Sequence, residues 1–320
     1  MNKPLHAIAW EITRRCPMAC QHCRGASRNE DYAGELTTEE AFQVLDSLVA
    51  ARRDGARLPM LIFTGGEPMY REDLETIVRH AHRCGFPSVL APCGRFATAA
   101  RLQQLKAAGI RAISLSIDGA DAATHDAFRG VPGAFQMASA AMQAAREAGM
   151  PFQVNHTLTR AGLPHLRAMR DFALAQGATR LDVFFLVPVG RGAALSAQCL
   201  TDAETETALN ELLTLDDEGL LPIHVTCEPR ILQVAAQRSH PPKSPCNGCM
   251  AGAGFLFLSH RGDLQPCGFY PLHLGNIRDF NCNLPATLAA SKRYAALNGG
   301  PCCLARAAGL RACQSSMPEA

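Results

Sequence analysis

"AIAWEITRRCPMACQHC", residues 7–23, runs from an apolar β-type segment (7–13) into three cysteines, Cys16, Cys20 and Cys23, spaced C-x3-C-x2-C. No fourth cysteine follows until Cys84. A closed structural metal site needs four ligands, whereas a site that does chemistry keeps a position open. Three thiolates can hold three irons of a [4Fe–4S] cluster and leave the fourth iron to an exogenous ligand. A structural zinc loop borrowing a distant ligand is the other reading that the spacing alone admits.

The rest of the chain repeats the pattern of that first segment. Apolar runs at 60–64, 87–92, 112–118, 152–158 and 181–187 alternate with amphipathic stretches near 37–54, 71–85, 97–109, 134–149, 164–177 and 201–214. Thr37 or Thr38, followed by Glu39 and Glu40, suits a helix N-cap, and Gly85, Gly109, Gly149 and Gly177 stand where helices should stop. Six β-α units in series predict an α/β fold with parallel strands, either open or curled towards a barrel. Functional groups in such sheets gather at the C-terminal strand ends, where the cysteine cluster falls. The pattern changes near residue 215, predicting domains over 1–214 and 215–320. In the second, "FLFLSHRGDLQPCGFY" (255–270) reads as a hairpin turning at Arg261-Gly262-Asp263.

Composition limits the function classes. A formal charge of +2 does not suit a nucleic-acid surface. The longest apolar stretch, "LDVFFLVPVG" (181–190), is about half of a membrane span. The first residues show no signal-peptide pattern, so the fourteen cysteines point to metal or redox chemistry rather than disulfides, and the expected location is the cytoplasm.

A second motif joins the first. "TGGEP" (64–68) follows the second apolar run; it suits a tight turn, and its glycines would also let backbone approach a ligand. With C-x3-C-x2-C after strand one and GGEP after strand two, the chain resembles the radical S-adenosylmethionine (SAM) superfamily. "ISLSIDG" (113–119) and "HDAFRGVPGAF" (125–135) extend the likeness, which covers nearly the whole chain. The resemblance implies a partial (β/α)6 barrel. Cys16, Cys20 and Cys23 would hold the [4Fe–4S] cluster, with His22 in the place usually taken by an aromatic residue. It also implies SAM on the open iron, with Gly65, Gly66, Glu67 and Pro68 lining its amino group. Ser116, Asp118, Asn155 and Thr157 match positions near the sulfonium, carboxylate or ribose, and Leu186, Val187 and Pro188 would pack the adenine. An electron delivered into such a cluster cleaves SAM to a 5′-deoxyadenosyl radical that abstracts a substrate hydrogen, and a flavodoxin- or ferredoxin-type protein would donate it.

Cys249, then twelve residues to Gly262, then four to Cys267, resembles the opening of the SPASM or twitch extension. That resemblance implies one auxiliary Fe–S cluster held by Cys249 and Cys267 with some of Cys246, Cys302, Cys303 and Cys313. The tail lacks the full SPASM pattern and is read as shortened. Cys84, Cys93, Cys199, Cys227 and Cys282 are expected to be packing residues.

Within the superfamily, "AWEITRRC", "FTGGEPM", "FFLVPVGRG" and "GFLFLSHRGDLQPCGF" are similar to the heme b synthase family of the siroheme-dependent pathway. That likeness implies oxidative decarboxylation of propionate side chains on a tetrapyrrole, iron-coproporphyrin III. Arg14, Arg24, Arg95, Arg129 and Arg191 are candidates for its carboxylates. Two features depart from that family: the short tail, and Cys93 at the end of strand three, where relatives often carry Asn-Gly. The alternatives are a maturase acting on a peptide or protein and a non-catalytic Fe–S electron-transfer protein.

Overall fold

The computed structural model describes residues 5–244 and 248–297. Seven strands run parallel in chain order: β1 (Ala7–Thr13), β2 (Met60–Gly65), β3 (Ser88–Leu90), β4 (Ile110–Ser116), β5 (Phe152–Leu158), β6 (Leu181–Phe185) and β7 (Ile223–Thr226). The six expected strands are all present, and the sheet continues past both ends of the set. β7 adds to β6, and β8 (Phe255–Leu258) lies parallel to the outer edge of β1, with Ala7 paired to Phe255. β9 (Asp263–Gln265) returns antiparallel to β8 as the expected hairpin, and β10 (Gly275–Asn276) completes a sheet of ten strands among the described residues. An open parallel sheet presents unpaired backbone groups at its edges. β8 takes up that role beside β1, so β1 becomes an interior strand.

Covering helices explain why β1 is apolar on both faces. Trp10, Ile8 and Ile12 are almost completely buried. Truncating Trp10 to Ala would cost about 3–5 kcal/mol in lost transfer energy and cavity. The helices are α1 (Thr38–Ala50), α2 (Leu74–Arg83), α3 (Ala99–Ala108), α4 (Ala122–Arg129), α5 (Ala134–Glu147), α6 (Leu166–Ala175) and α7 (Asp202–Asp217), then the short α8 (Ile231–Ala236), α9 (Leu284–Ala290) and α10 (Lys292–Leu297). Thr37, not Thr38, caps α1: its hydroxyl accepts the Glu40 N–H at 3.2 Å, and Glu40 Oε2 accepts the Thr37 N–H at 2.8 Å. Gly85, Gly109, Gly149 and Gly177 all follow helices with positive φ, as expected of helix stops. α4 runs into the first half of the "HDAFRGVPGAF" stretch and ends at Gly130 in the left-handed conformation.

The strands present their C-terminal ends to one edge, where the loops after β1 and β6 meet although the two strands do not pair. Arg191 N–H donates to Cys23 O at 3.1 Å, and a Cβ on Gly190 would overlap the Arg24 carbonyl oxygen. Glycine is therefore needed at 190, both for its φ of 59° and for this approach. The sheet curls enough for its loops to close over an opening that its hydrogen bonds leave unclosed. Among the described residues, no helix is long and apolar enough to cross a membrane.

Candidate active site

The loop after β1 places three thiols at the curled edge. Cys16 and Cys20 are buried and Cys23 is half-buried, with Met18 and Ala134 packed among them. The loop is tied down locally: Cys16 N–H donates to Arg28 O at 2.9 Å, and Cys23 N–H to Cys20 O at 3.2 Å. Met18 N–H also points at the Cys16 sulfur, 3.4 Å away. Such donors favour a thiolate over a thiol. Contact with the Cys93 thiol, aided by Met18, holds Cys16 below the ordinary thiol range, while burial pushes Cys20 up.

The GGEP turn is pressed against the end of β1. A Cβ on Gly66 would overlap the carbonyl oxygens of both Arg14 and Arg15, and one on Gly65 would overlap that of Thr13. Their Cβ positions therefore admit the chain's own backbone. Glu67 is completely buried; Oε1 accepts the Met69 N–H at 2.9 Å and Oε2 the Cys93 N–H at 2.6 Å. Burial raises its pKa. Its carboxyl thus locks the turn, with buried Pro68 beside it, onto the loop that follows β3.

Asp118, two residues past β4, is a second organising carboxyl. Oδ2 pairs with Arg129 Nε at 2.9 Å, Oδ1 accepts the Thr157 N–H at 2.7 Å, and His22 Nε2 lies 3.7 Å away. Burial alone would raise its pKa, but the Arg129 guanidinium and the neighbouring imidazoles hold it well below the usual carboxylate range. Arg129 Nη1 continues to the Cys20 sulfur at 3.6 Å. His22 stacks on Phe128, with ring centroids 4.6 Å apart, and burial lowers its pKa to about 4.

Ser116 pairs with Asn155 across β4 and β5. Along β5, Gln153, Asn155 and Thr157 share the less buried face, opposite buried Val154 and His156. Gln153 Nε2 donates to Asn155 Oδ1 and to Asp182 Oδ2, each at 2.8 Å, a polar link below the predicted positions that the alternation of β5 could have signalled. Leu186, Val187 and Pro188 leave the end of β6 partly exposed at the same edge.

The candidate arginines divide. Arg129 is buried against Asp118, and Arg24 pairs with buried Glu11 at 3.1 Å and lies over Phe257. Arg191 donates to Cys20 O at 2.8 Å and Ser27 O at 2.7 Å, and Arg14 to Gly25 O. These four hold the cluster loop, while Arg95 stands exposed beyond β3.

Two cysteines read as packing residues pack beside other cysteines. Cys93 joins the Cys16–Cys20–Cys23 group. Cys227, just after β7 and at φ 65°, lies near enough for Cys267 to add to the burial that raises its thiol pKa. Cys267 is buried after β9, and its neighbour Pro266 accepts the N–H of Gly252 at 3.1 Å, which brings the Cys249 loop alongside. Cys227 thus comes from the opposite end of the sheet, a proximity that only the curl creates. Cys246, Cys302, Cys303 and Cys313 lie outside the described residues.

The loop is suited to receive a further group. His22 Nδ1, the Ser27 hydroxyl and Arg191 Nη2 are buried without hydrogen-bond partners among the described residues, beside three thiols of a soft-metal donor set. The profile described as Radical SAM superfamily matches residues 10–166. The chain is 40% identical over 283 residues to the AdoMet-dependent heme synthase of Oleidesulfovibrio alaskensis, covering 85% of this chain and 72% of that protein. The chain belongs to the radical SAM superfamily. Another AdoMet-dependent heme synthase, from Methanosarcina barkeri, is 38% identical over 290 residues, covering 87% of this chain and 81% of that protein. The crystal structure of Streptococcus suis SuiB bound to its precursor peptide SuiA superposes with a TM-score of 0.74 at 13% identity, covering 93% of this chain and 67% of SuiB, and so supports the radical SAM fold. A [4Fe–4S] cluster and SAM are the cofactors this family implies, and the three thiols fit that cluster.

Proposed function

We propose that this radical SAM enzyme cleaves SAM reductively and oxidatively decarboxylates propionate side chains of a tetrapyrrole, iron-coproporphyrin III. The observation that carries the substrate is the likeness to AdoMet-dependent heme synthases over most of their length. Cys16, Cys20 and Cys23 hold the cluster, and the backbone of Gly65, Gly66, Glu67 and Pro68 receives the amino end of SAM. A cluster and SAM held there would supply hydrogen-abstracting radical chemistry, the single electron for cleaving SAM coming from the external donor.

The chain's own residues position and shield this chemistry. Asp118 keeps Arg129 charged and aimed at Cys20, and orders the end of β5, where Asn155 and Thr157 join Ser116 around the ribose and sulfonium. Leu186, Val187 and Pro188 cover the adenine, and the segment that follows, anchored by Arg191 to the cluster loop, keeps water from the reacting atoms. Exposed Arg95 offers a guanidinium to a substrate carboxylate. The region beyond residue 214 would carry an auxiliary Fe–S cluster at Cys249 and Cys267, with Cys227 beside them, to accept the electron that the substrate gives up as carbon dioxide leaves. The electron donor is a flavodoxin- or ferredoxin-type protein.

The test is anaerobic incubation with iron-coproporphyrin III, SAM and a reductant, followed by mass spectrometry. Conversion of propionate to vinyl, with release of carbon dioxide and 5′-deoxyadenosine, is expected. Cleavage of SAM without change in the porphyrin rejects this substrate and leaves the maturase reading. Absence of 5′-deoxyadenosine under all reducing conditions rejects SAM cleavage itself and leaves an Fe–S electron-transfer protein.

A further inference from the structure

The facing surfaces of α1 and α2 bring together three ligand-type side chains that the radical chemistry does not use. Phe42 and Asp46 stand one turn apart on α1, and His80 and Cys84 stand one turn apart at the end of α2. Phe42 stacks on the His80 imidazole, with ring centroids 4.1 Å apart and planes 15° from parallel. That contact fixes the ring with Nε2 2.7 Å from Asp46 Oδ1. The Cys84 thiol donates to the same oxygen at 3.7 Å, and its own N–H is held by His80 O at 3.0 Å. One ligand atom from each of the three residues thus lies within 4.8 Å of the other two. Burial and the Asp46 carboxylate push the Cys84 thiol up, so the group is not an activated nucleophile.

We propose that Asp46, His80 and Cys84 form a zinc site that clamps α1 to α2, with water as the fourth ligand. Sulfur, imidazole and carboxylate suit this borderline-soft ion, whereas calcium and magnesium take oxygen ligands. One thiolate and one carboxylate neutralise the dication. The imidazole binds neutral through Nε2, with its proton on Nδ1, and the thiol proton passes to solvent. Tetrahedral zinc, with bonds of about 2.0–2.3 Å, sets its ligand atoms roughly 3.3–3.7 Å apart. The Cys84–Asp46 separation of 3.7 Å already meets this. The His80–Asp46 pair must open by about half an ångström. Rotation of Asp46 supplies that opening, because its side chain is 58% exposed, and the same exposure admits the water. α2 runs back from the end of β2 to the start of β3, so the site lies toward the opposite edge of the sheet from Cys16, Cys20 and Cys23.

The test adds zinc alone to the cluster-reconstituted protein, dialyses it against a weak chelator, and measures zinc, iron and zinc K-edge X-ray absorption. Wild type should retain about one zinc more than Cys84→Ala, and that extra ion should show one sulfur neighbour with nitrogen and oxygen completing a four-coordinate shell. His80→Gln and Asp46→Asn should each weaken it by at least the roughly tenfold that loss of even an outer-shell partner costs. Iron should match across the four proteins, which separates this ion from exchange at an Fe–S cluster. Equal zinc content and affinity in wild type and Cys84→Ala overturn the proposal. So does a loss confined to Cys84→Ala, the mark of a lone thiol, and so does an extra ion surrounded by several sulfurs or by oxygen alone.

Discussion

Arg129 reaches the Cys20 sulfur at 3.6 Å from 109 residues further along the chain, while its Nε pairs with Asp118 at 2.9 Å. A cation brought in by α4 is thus shared between a fully buried carboxylate and a thiol of the three-cysteine loop. Substituting Arg129 by Met leaves Asp118 as an uncompensated buried charge, which typically costs about 3–5 kcal/mol. Urea unfolding of the cluster-free protein should show that loss. Replacing Asp118 by Asn in the same background should restore part of it, and a loss well under about 1 kcal/mol would show that the pair contributes little.

His125 gives the fold a pH dependence of known sign. Its Nδ1 accepts the Asp118 N–H at 2.9 Å, so that nitrogen must be unprotonated, and burial lowers the pKa from the usual imidazole value of 6.5 to about 4. Between those two values the unfolded chain binds the proton and the native one does not, so stability rises with pH across that window and is lost as pH falls through it. The loss from this residue approaches about 3 kcal/mol at the acid end. Urea midpoints of the cluster-free protein measured from pH 7 to pH 4.5 should fall, and His125→Gln should flatten the slope. An unchanged slope in that variant would assign the effect elsewhere.

Gly66→Ala should be costly because its Cβ meets two backbone carbonyls, which cannot rotate away as a side chain could. Overpacking of this kind costs about 1–3 kcal/mol, and the displaced GGEP turn should weaken SAM binding by about tenfold or more. Equilibrium dialysis with SAM measures the second effect independently of turnover. Gly162→Ala is the control, because its φ is −80° and its added Cβ would meet only ordinary contacts at 3.5 Å or more.

The two groups of cysteines should separate functionally. Replacing Cys16, Cys20 or Cys23 by Ala should abolish release of 5′-deoxyadenosine. Replacing Cys249 or Cys267 should lower substrate turnover more than SAM cleavage. Iron content should fall from roughly eight per chain to roughly four in the second group, if one auxiliary cluster is present. A wild-type content near four would remove that cluster. Cys227→Ser should resemble the second group, and a wild-type iron content in that variant would return Cys227 to a packing role.

Much of this molecule was legible along the chain because its determinants are local. Strand apolarity, the Thr37 cap, the glycine helix stops and the 259–263 turn depend on neighbours a few residues away, and the structure reproduces them. The motifs C-x3-C-x2-C and GGEP also carry their family in short windows, which is why the superfamily could be read from them. The substrate arginines were not legible: Arg24 and Arg129 look available in sequence, yet their partners Glu11 and Asp118 are visible only when strands and loops are assembled.

The amino-acid sequence alone determined an α/β chain of parallel strands with three thiols at one strand end, since periodicity and spacing are properties of short segments. Tertiary structure alone decided that β8 would pair with β1, that Cys93 would join Cys16, and that Cys227 would come near Cys267 from the far end of the sheet. Those contacts depend on the curl of the sheet and on which loops meet across it. Such a relation is set by long-range packing and carries no mark in the local sequence.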